Sequence, residues 1–168
     1  MGVDLCDVAR MRRALEGPSG SRFGARVFTA TERAYCESRR AARFESYAAR
    51  FAAKEAAMKA LGTGWTRGVR WRDIEVVGAR GTPPRLVLHG RAAALARDRG
   101  ATRWHVSLSH TAATAVAWVI AEGDGVPPAP QRRRSAGGAA PRRRGRQTSR
   151  ATAHTPATSP STVQRLRG

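Results

Sequence analysis

Along this chain apolar and polar positions change period every ten residues or so, and each change marks an element. Val3 to Val8 opens with a strand-like pattern, and the basic stretch from Arg10 to Leu15 is compatible with a helix. Gly17-Pro-Ser-Gly20 breaks it. Thr29 followed by Glu32 fits a capping box and predicts a helix through Cys36, with Thr31 as the other candidate cap. Next, Tyr47, Phe51, Met58 and Leu61 recur near helical spacing among many alanines, with Ser46 as the expected N-cap and Gly62 as the stop. This is the longest and most buried helix that the pattern predicts.

Beyond it the pattern turns to strands. Asp73 to Val77 and Arg85 to His89 flank Gly81-Thr-Pro-Pro84, which predicts a hairpin. Arg91 to Asp98 reads as a short Ala-rich helix ended by Gly100. Trp104 to His110 alternates with period two, so Trp104, Val106 and Leu108 are expected to face a core while His105, Ser107 and Ser109 face away. Ala115 to Ile120 returns as a second strand after a turn at Thr111 to Thr114, with Trp118 also expected to face the core. The fold class is α+β, a mostly antiparallel sheet packed against a long central helix.

From Gly123 onward large apolar residues almost disappear, and Pro, Ala, Ser, Thr, Gly and Arg take over. Such a segment buries too little apolar surface to offset its ordering entropy, so the chain divides into a domain over 1–122 and a disordered tail over 123–168. Charge is shared between them. The domain holds 21 Lys and Arg against 11 Asp and Glu, and the tail holds ten Arg against Asp124. Both parts therefore favour an anionic partner, whether a phosphorylated small molecule, an acidic protein or nucleic acid. Cys6 and Cys36 have neither the number of a disulfide framework nor the spacing of a metal site, and read as small hydrophobes. The start shows no secretory pattern, and the longest apolar run, Ala115 to Ala121, is too short to span a bilayer. A cytoplasmic location without membrane contact is expected.

Candidate chemistry lies on the central helix. Of the 31 cationic residues 29 are arginine, and the only lysines, Lys54 and Lys59, flank Glu55 there. A compact, mobile ammonium rather than a planar fork is implied at those positions. Glu55 and Lys59 are four apart and share a helix face. That spacing fits an ordinary exposed ion pair, and equally a carboxylate for a metal beside a lysine for phosphate.

Three separated segments narrow the reading. Gly2-Val-Asp4 with Arg10, then Arg50-Phe-Ala-Ala-Lys-Glu55 through Lys59-Ala-Leu-Gly-Thr-Gly64, then Trp104-His-Val-Ser-Leu-Ser-His-Thr111 resemble the holo-[acyl-carrier-protein] synthase family of 4′-phosphopantetheinyl transferases. The resemblance covers residues 1–122 and none of the tail. It implies that family's fold, and transfer of 4′-phosphopantetheine from coenzyme A to a serine of apo acyl carrier protein. It implies Mg²⁺ on Asp4 and Glu55, with Lys59 also acting in catalysis, and with Glu55 accepting the serine proton directly or through a metal-bound water. Arg50, Lys59, Gly62, Thr63, Gly64, Ser109, His110 and Thr111 are then expected to hold coenzyme A. His105 is expected to be structural. A homotrimer with active sites between subunits is implied, and Arg10, Arg12 and Arg13 form the candidate docking surface for the acidic carrier.

Two departures stand out. Members of the family usually begin several residues before this aspartate, so a start upstream of Met1 is expected; the Arg-rich tail has no counterpart. The competing reading is a basic nucleic-acid-binding protein with a vestigial transferase site, its tail contacting nucleic acid.

Overall fold

The computed structural model describes residues 1–63, 68–79 and 81–123. The tail expected to be disordered lies outside them from residue 124 on, as does Gly64. Ten regular elements follow one another: β1 (Gly2–Asp7), α1 (Val8–Glu16), α2 (Gly20–Val27), α3 (Ala30–Ser38), α4 (Arg43–Ala60), β2 (Ile74–Val77), β3 (Arg85–Leu88), α5 (Gly90–Asp98), β4 (Arg103–His110) and β5 (Thr114–Glu122). Two short 3₁₀ turns, Arg40–Ala42 and Trp71–Asp73, precede α4 and β2.

Local chemistry explains most of the boundaries. Asp7 ends β1 and caps α1, its Oδ1 accepting the Arg10 amide at 2.6 Å. Thr29 and Glu32 form the expected capping box at the start of α3. At the other end of α4, Gly62 adopts φ +58°, its amide donates to Lys59 O and the Thr63 amide reaches Met58 O, a Schellman closure. Ser46 is not the N-cap of α4. The helix begins at Arg43, out of the preceding 3₁₀ turn, and Ser46 lies buried inside it. The sequence pattern also missed α2, which carries Gly24 and opens on Gly20, read as part of a breaker. Both are buried, and a Cβ on Gly20 would lie 1.8 Å from the Leu15 carbonyl oxygen, so close packing rather than a loop selects glycine there.

The strands form two antiparallel sheets: three strands in the order β1-β5-β4, and the separate hairpin β2-β3. In the larger sheet Asp4 pairs with Ala117, Val3 with Trp118 and His110 with Ala115. Ala115, Ala117 and Val119 point inward beneath α4 and are completely buried. The period-two rule then places Trp118 on the opposite face, where it is 48 % exposed, so the expectation that it faces the core is corrected. Trp104, Val106 and Leu108 do pack against the core. Small residues let the layers close: β1 approaches α4 so nearly that a Cβ on Gly2 would lie 2.0 Å from Ala56 O. Trp71, for which the pattern offered no role, stacks on Phe51 with ring centroids 4.8 Å apart. Among the described residues no helix is long and apolar enough to cross a membrane.

Candidate active site

Strand β1 and helix α4 together present three of the sequence-predicted side chains to one another. The close contact at Gly2 brings Asp4 alongside the helix, where Lys59 Nζ donates to Asp4 Oδ1 at 2.7 Å and to Val3 O at 2.9 Å. Glu55 lies one turn before Lys59, near enough for the Asp4 carboxyl to act on it. Burial first, then the neighbouring Asp4 carboxyl and its charge, push the Glu55 carboxyl up to about 7, while Lys59 and Arg10 draw it down. Arg10, at the start of α1, is therefore close enough for its charge to be felt at Glu55.

Asp4 Oδ2 is buried and has no hydrogen-bond partner. The Glu55 carboxyl raised by its Asp4 neighbour, and the idle Asp4 oxygen, favour a shared proton or a second cation beside Lys59. That donor set fits a hard divalent ion such as Mg²⁺, which takes one or two protein carboxylates and fills its remaining positions with water and phosphate oxygens. Among the described residues no group of three or more metal-ligating side chains forms, so such an ion would rest on this pair alone.

The other expected ligands gather elsewhere. Arg50 is buried, sits 3.9 Å above the Tyr35 ring, and donates Nη1 to Ser46 O at 3.4 Å while its Nε has no partner. It lines a hollow of about 170 Å³ with Tyr35, Arg39, Thr82 and His110. Glu55 is five positions beyond Arg50, which turns the two about 140° apart around the helix axis. A single chain thus does not bring Arg50 and His110 onto the Asp4, Glu55 and Lys59 cluster.

The remaining positions divide by what their side chains already do. Ser109 is exposed on β4 beside His110. The Thr111 hydroxyl accepts the Ala113 and Thr114 amides at 3.2 and 3.1 Å and so shapes the β4-β5 turn. Thr63 is buried with its hydroxyl on Met58 O at 3.2 Å, whereas Gly62 is exposed at the helix end. Arg13 and Arg12 are exposed on α1. His105 bonds Glu122 at 3.0 Å across the β4-β5 pair. Sequence reasoning missed Tyr35 and Asp7: Tyr35 acts through a contact with Arg50 that no local spacing encodes, whereas Asp7 three residues before Arg10 could have been read as a cap.

Comparison with known proteins places the chain in a family. Residues 1–119 match the family model described as "ACPS: 4'-phosphopantetheinyl transferase superfamily". The holo-[acyl-carrier-protein] synthase of Solibacter usitatus is 52 % identical over 121 residues, which are 72 % of this chain and 95 % of that protein. The protein of the same name from Anaeromyxobacter dehalogenans is 54 % identical over 127 residues, 74 % and 96 % of the two chains. Among solved structures, that of the Helicobacter pylori holo-[acyl-carrier-protein] synthase in complex with coenzyme A superposes with a TM-score of 0.62 at 25 % identity, covering 72 % of this chain and 98 % of that one. The Neisseria meningitidis synthase superposes with a TM-score of 0.63 at 30 % identity, covering 72 % and 95 %. None of these relatives supports the nucleic-acid-binding alternative. The chain belongs to the 4′-phosphopantetheinyl transferase superfamily, among its holo-[acyl-carrier-protein] synthases.

Proposed function

We propose that this chain transfers 4′-phosphopantetheine from coenzyme A to a serine of apo acyl carrier protein, releasing adenosine 3′,5′-bisphosphate. The observation that carries the reading is the convergence of Asp4, Glu55 and Lys59 from two distant segments, within a chain of this family. Asp4 and Glu55 would hold Mg²⁺, which when bound supplies positive charge to the pyrophosphate. Lys59, 54 % exposed at the edge of the cluster, is free to swing from Asp4 toward a phosphate oxygen. Glu55 is the group we assign to accept the serine proton as its oxygen attacks the β-phosphorus.

Gly62, Thr63, Gly64, Ser109 and Thr111 are assigned to coenzyme A, and Arg50 and His110 to the phosphates of its nucleotide half. Their separation from Glu55 around α4 supports a site completed between subunits of a homotrimer. So does the outer sheet face, where Val3, Leu5, Trp118 and Ile120 are 41, 66, 48 and 44 % exposed and form one apolar patch. Arg10 and Arg13 are assigned to the acidic carrier protein. Arg10 borders an apolar hollow of about 100 Å³ with Met11, Phe23 and Phe51, which offers a seat for an apolar side chain of that partner.

Intact-protein mass spectrometry of apo acyl carrier protein incubated with this chain, coenzyme A and Mg²⁺ tests the proposal. A phosphopantetheine-sized gain is expected, abolished by chelator and reduced about 10²-fold or more by Glu55→Ala. No gain with several carrier proteins would overturn it.

A further inference from the structure

Lys54 has no part in the chemistry described so far, yet it is the most completely enclosed charge on α4. Its side chain is 0 % exposed, as is that of its partner Glu32, with Nζ to Oε2 at 2.8 Å. The other two ammonium donors reach Trp71 O at 3.1 Å and Ile74 O. Glu32 is equally committed: Oε2 also accepts the Thr29 amide at 2.8 Å and Oε1 accepts the Val76 amide at 2.9 Å. One ion pair thus ties α4 to α3, to the 3₁₀ turn before β2 and to β2 itself.

The rest of α4 shows why such a tie matters. The side toward β1 is alanine, with Ala56 and Ala60 meeting Gly2 and Ala52, Ala53 and Ala49 continuing that face by helical repeat. Methyl groups allow close approach but differ little from turn to turn, so this face resists neither roll nor axial slide strongly. The bulky side runs Phe44, Tyr47, Phe51, Met58 and Leu61, at intervals of three, four, seven and three, and Lys54 fills the gap where another apolar residue would fit. A polar group in the middle of an apolar stripe is a known means of fixing register at some cost in stability.

We infer that Lys54, through Glu32, is a positioning residue that sets the roll of α4 and so aims Glu55 at Asp4. Lys54 and Glu55 are adjacent, about 100° apart around the axis, so any roll the pair prevents is a displacement of the carboxylate beside it. The inference rests on the metal and transfer roles proposed for Asp4 and Glu55.

The test replaces the pair by Lys54→Met with Glu32→Gln, which removes both charges at similar volume and keeps a carbonyl for one of the two amides. Full-length parent and double variant are compared in thermal midpoint, in Mn²⁺ binding by calorimetry and in carrier-protein modification at 25 °C. Expected is a midpoint within about 5 °C of the parent, with the Mn²⁺ dissociation constant raised about tenfold or more and kcat lowered in step. A folded double variant that binds Mn²⁺ and turns over within twofold of the parent would show the pair to be scaffolding alone and overturn the inference. Should the double variant fail to fold, Glu32→Gln alone is judged by the same criteria. A parent that modifies no carrier protein overturns the function itself, and this inference with it; an active parent with unchanged variants overturns only the inference.

Discussion

A Cβ on Gly2 would stand 2.0 Å from the Ala56 carbonyl oxygen and 2.8 Å from the Ala60 amide nitrogen, distances that only backbone movement relieves. Gly2→Ala is therefore expected to push β1 off α4, two residues from the carboxylate that Lys59 grips. The destabilisation should be about 1–3 kcal/mol, with carrier-protein modification falling further than stability because Asp4 moves with the strand. Thermal melts and mass-spectrometric rates on the same sample check both. At this scale much of the site was legible in the sequence, because carboxylate, lysine and glycine identities each carry chemistry. Trp118 was not legible: alternation alone does not say which face is inward, and the pairing of Val3 with Trp118 sets it outward.

Elements were legible where a cap or period was explicit, and α3 shows what such a cap holds. The Thr29 hydroxyl accepts the Glu32 amide at 3.2 Å and donates to Glu75 Oε1 at 2.7 Å, linking the helix to β2. Burial works against ionisation of Glu75, but the bonds from Thr29 and His89 outweigh it and hold this carboxyl below the usual range. Thr29→Ala should cost about 1 kcal/mol, measured by urea titration, and should let Glu75 rise toward an ordinary value. The start of α4 was misplaced because Ser46 has cap chemistry but lies where the chain is already helical; Arg40, at φ +45°, turns the chain into the helix earlier. The hairpin was foreseen, but not that β2-β3 stands apart from the larger sheet, since strand pairing across the chain leaves no local trace.

In the whole molecule, ionisable groups in the core tie stability to pH. Burial raises the thiols of Cys6 and Cys36 to about 11 and about 12, and burial with a bond to Glu37 raises the Tyr47 hydroxyl as well. Their stabilisation is full below the unfolded-chain values and is lost as pH climbs, because the unfolded chain then releases protons that the folded one keeps. Melting temperature should thus fall between about pH 9 and 11, and Cys6→Ala with Cys36→Ala should flatten the fall. The division of the site around α4 also makes its two halves separable by mutation. If Glu55 of one subunit works with His110 of its neighbour, Glu55→Ala and His110→Ala are lesions in separate half-sites, and two defective alleles carried together would rescue each other. Refolded as an equal mixture, chains that are each inactive alone should recover about a quarter of parental activity, the share of interfaces that pair two sound halves. A mixture as dead as its components would mean that each chain holds its site alone, and that a single functional gene copy is needed for every active molecule.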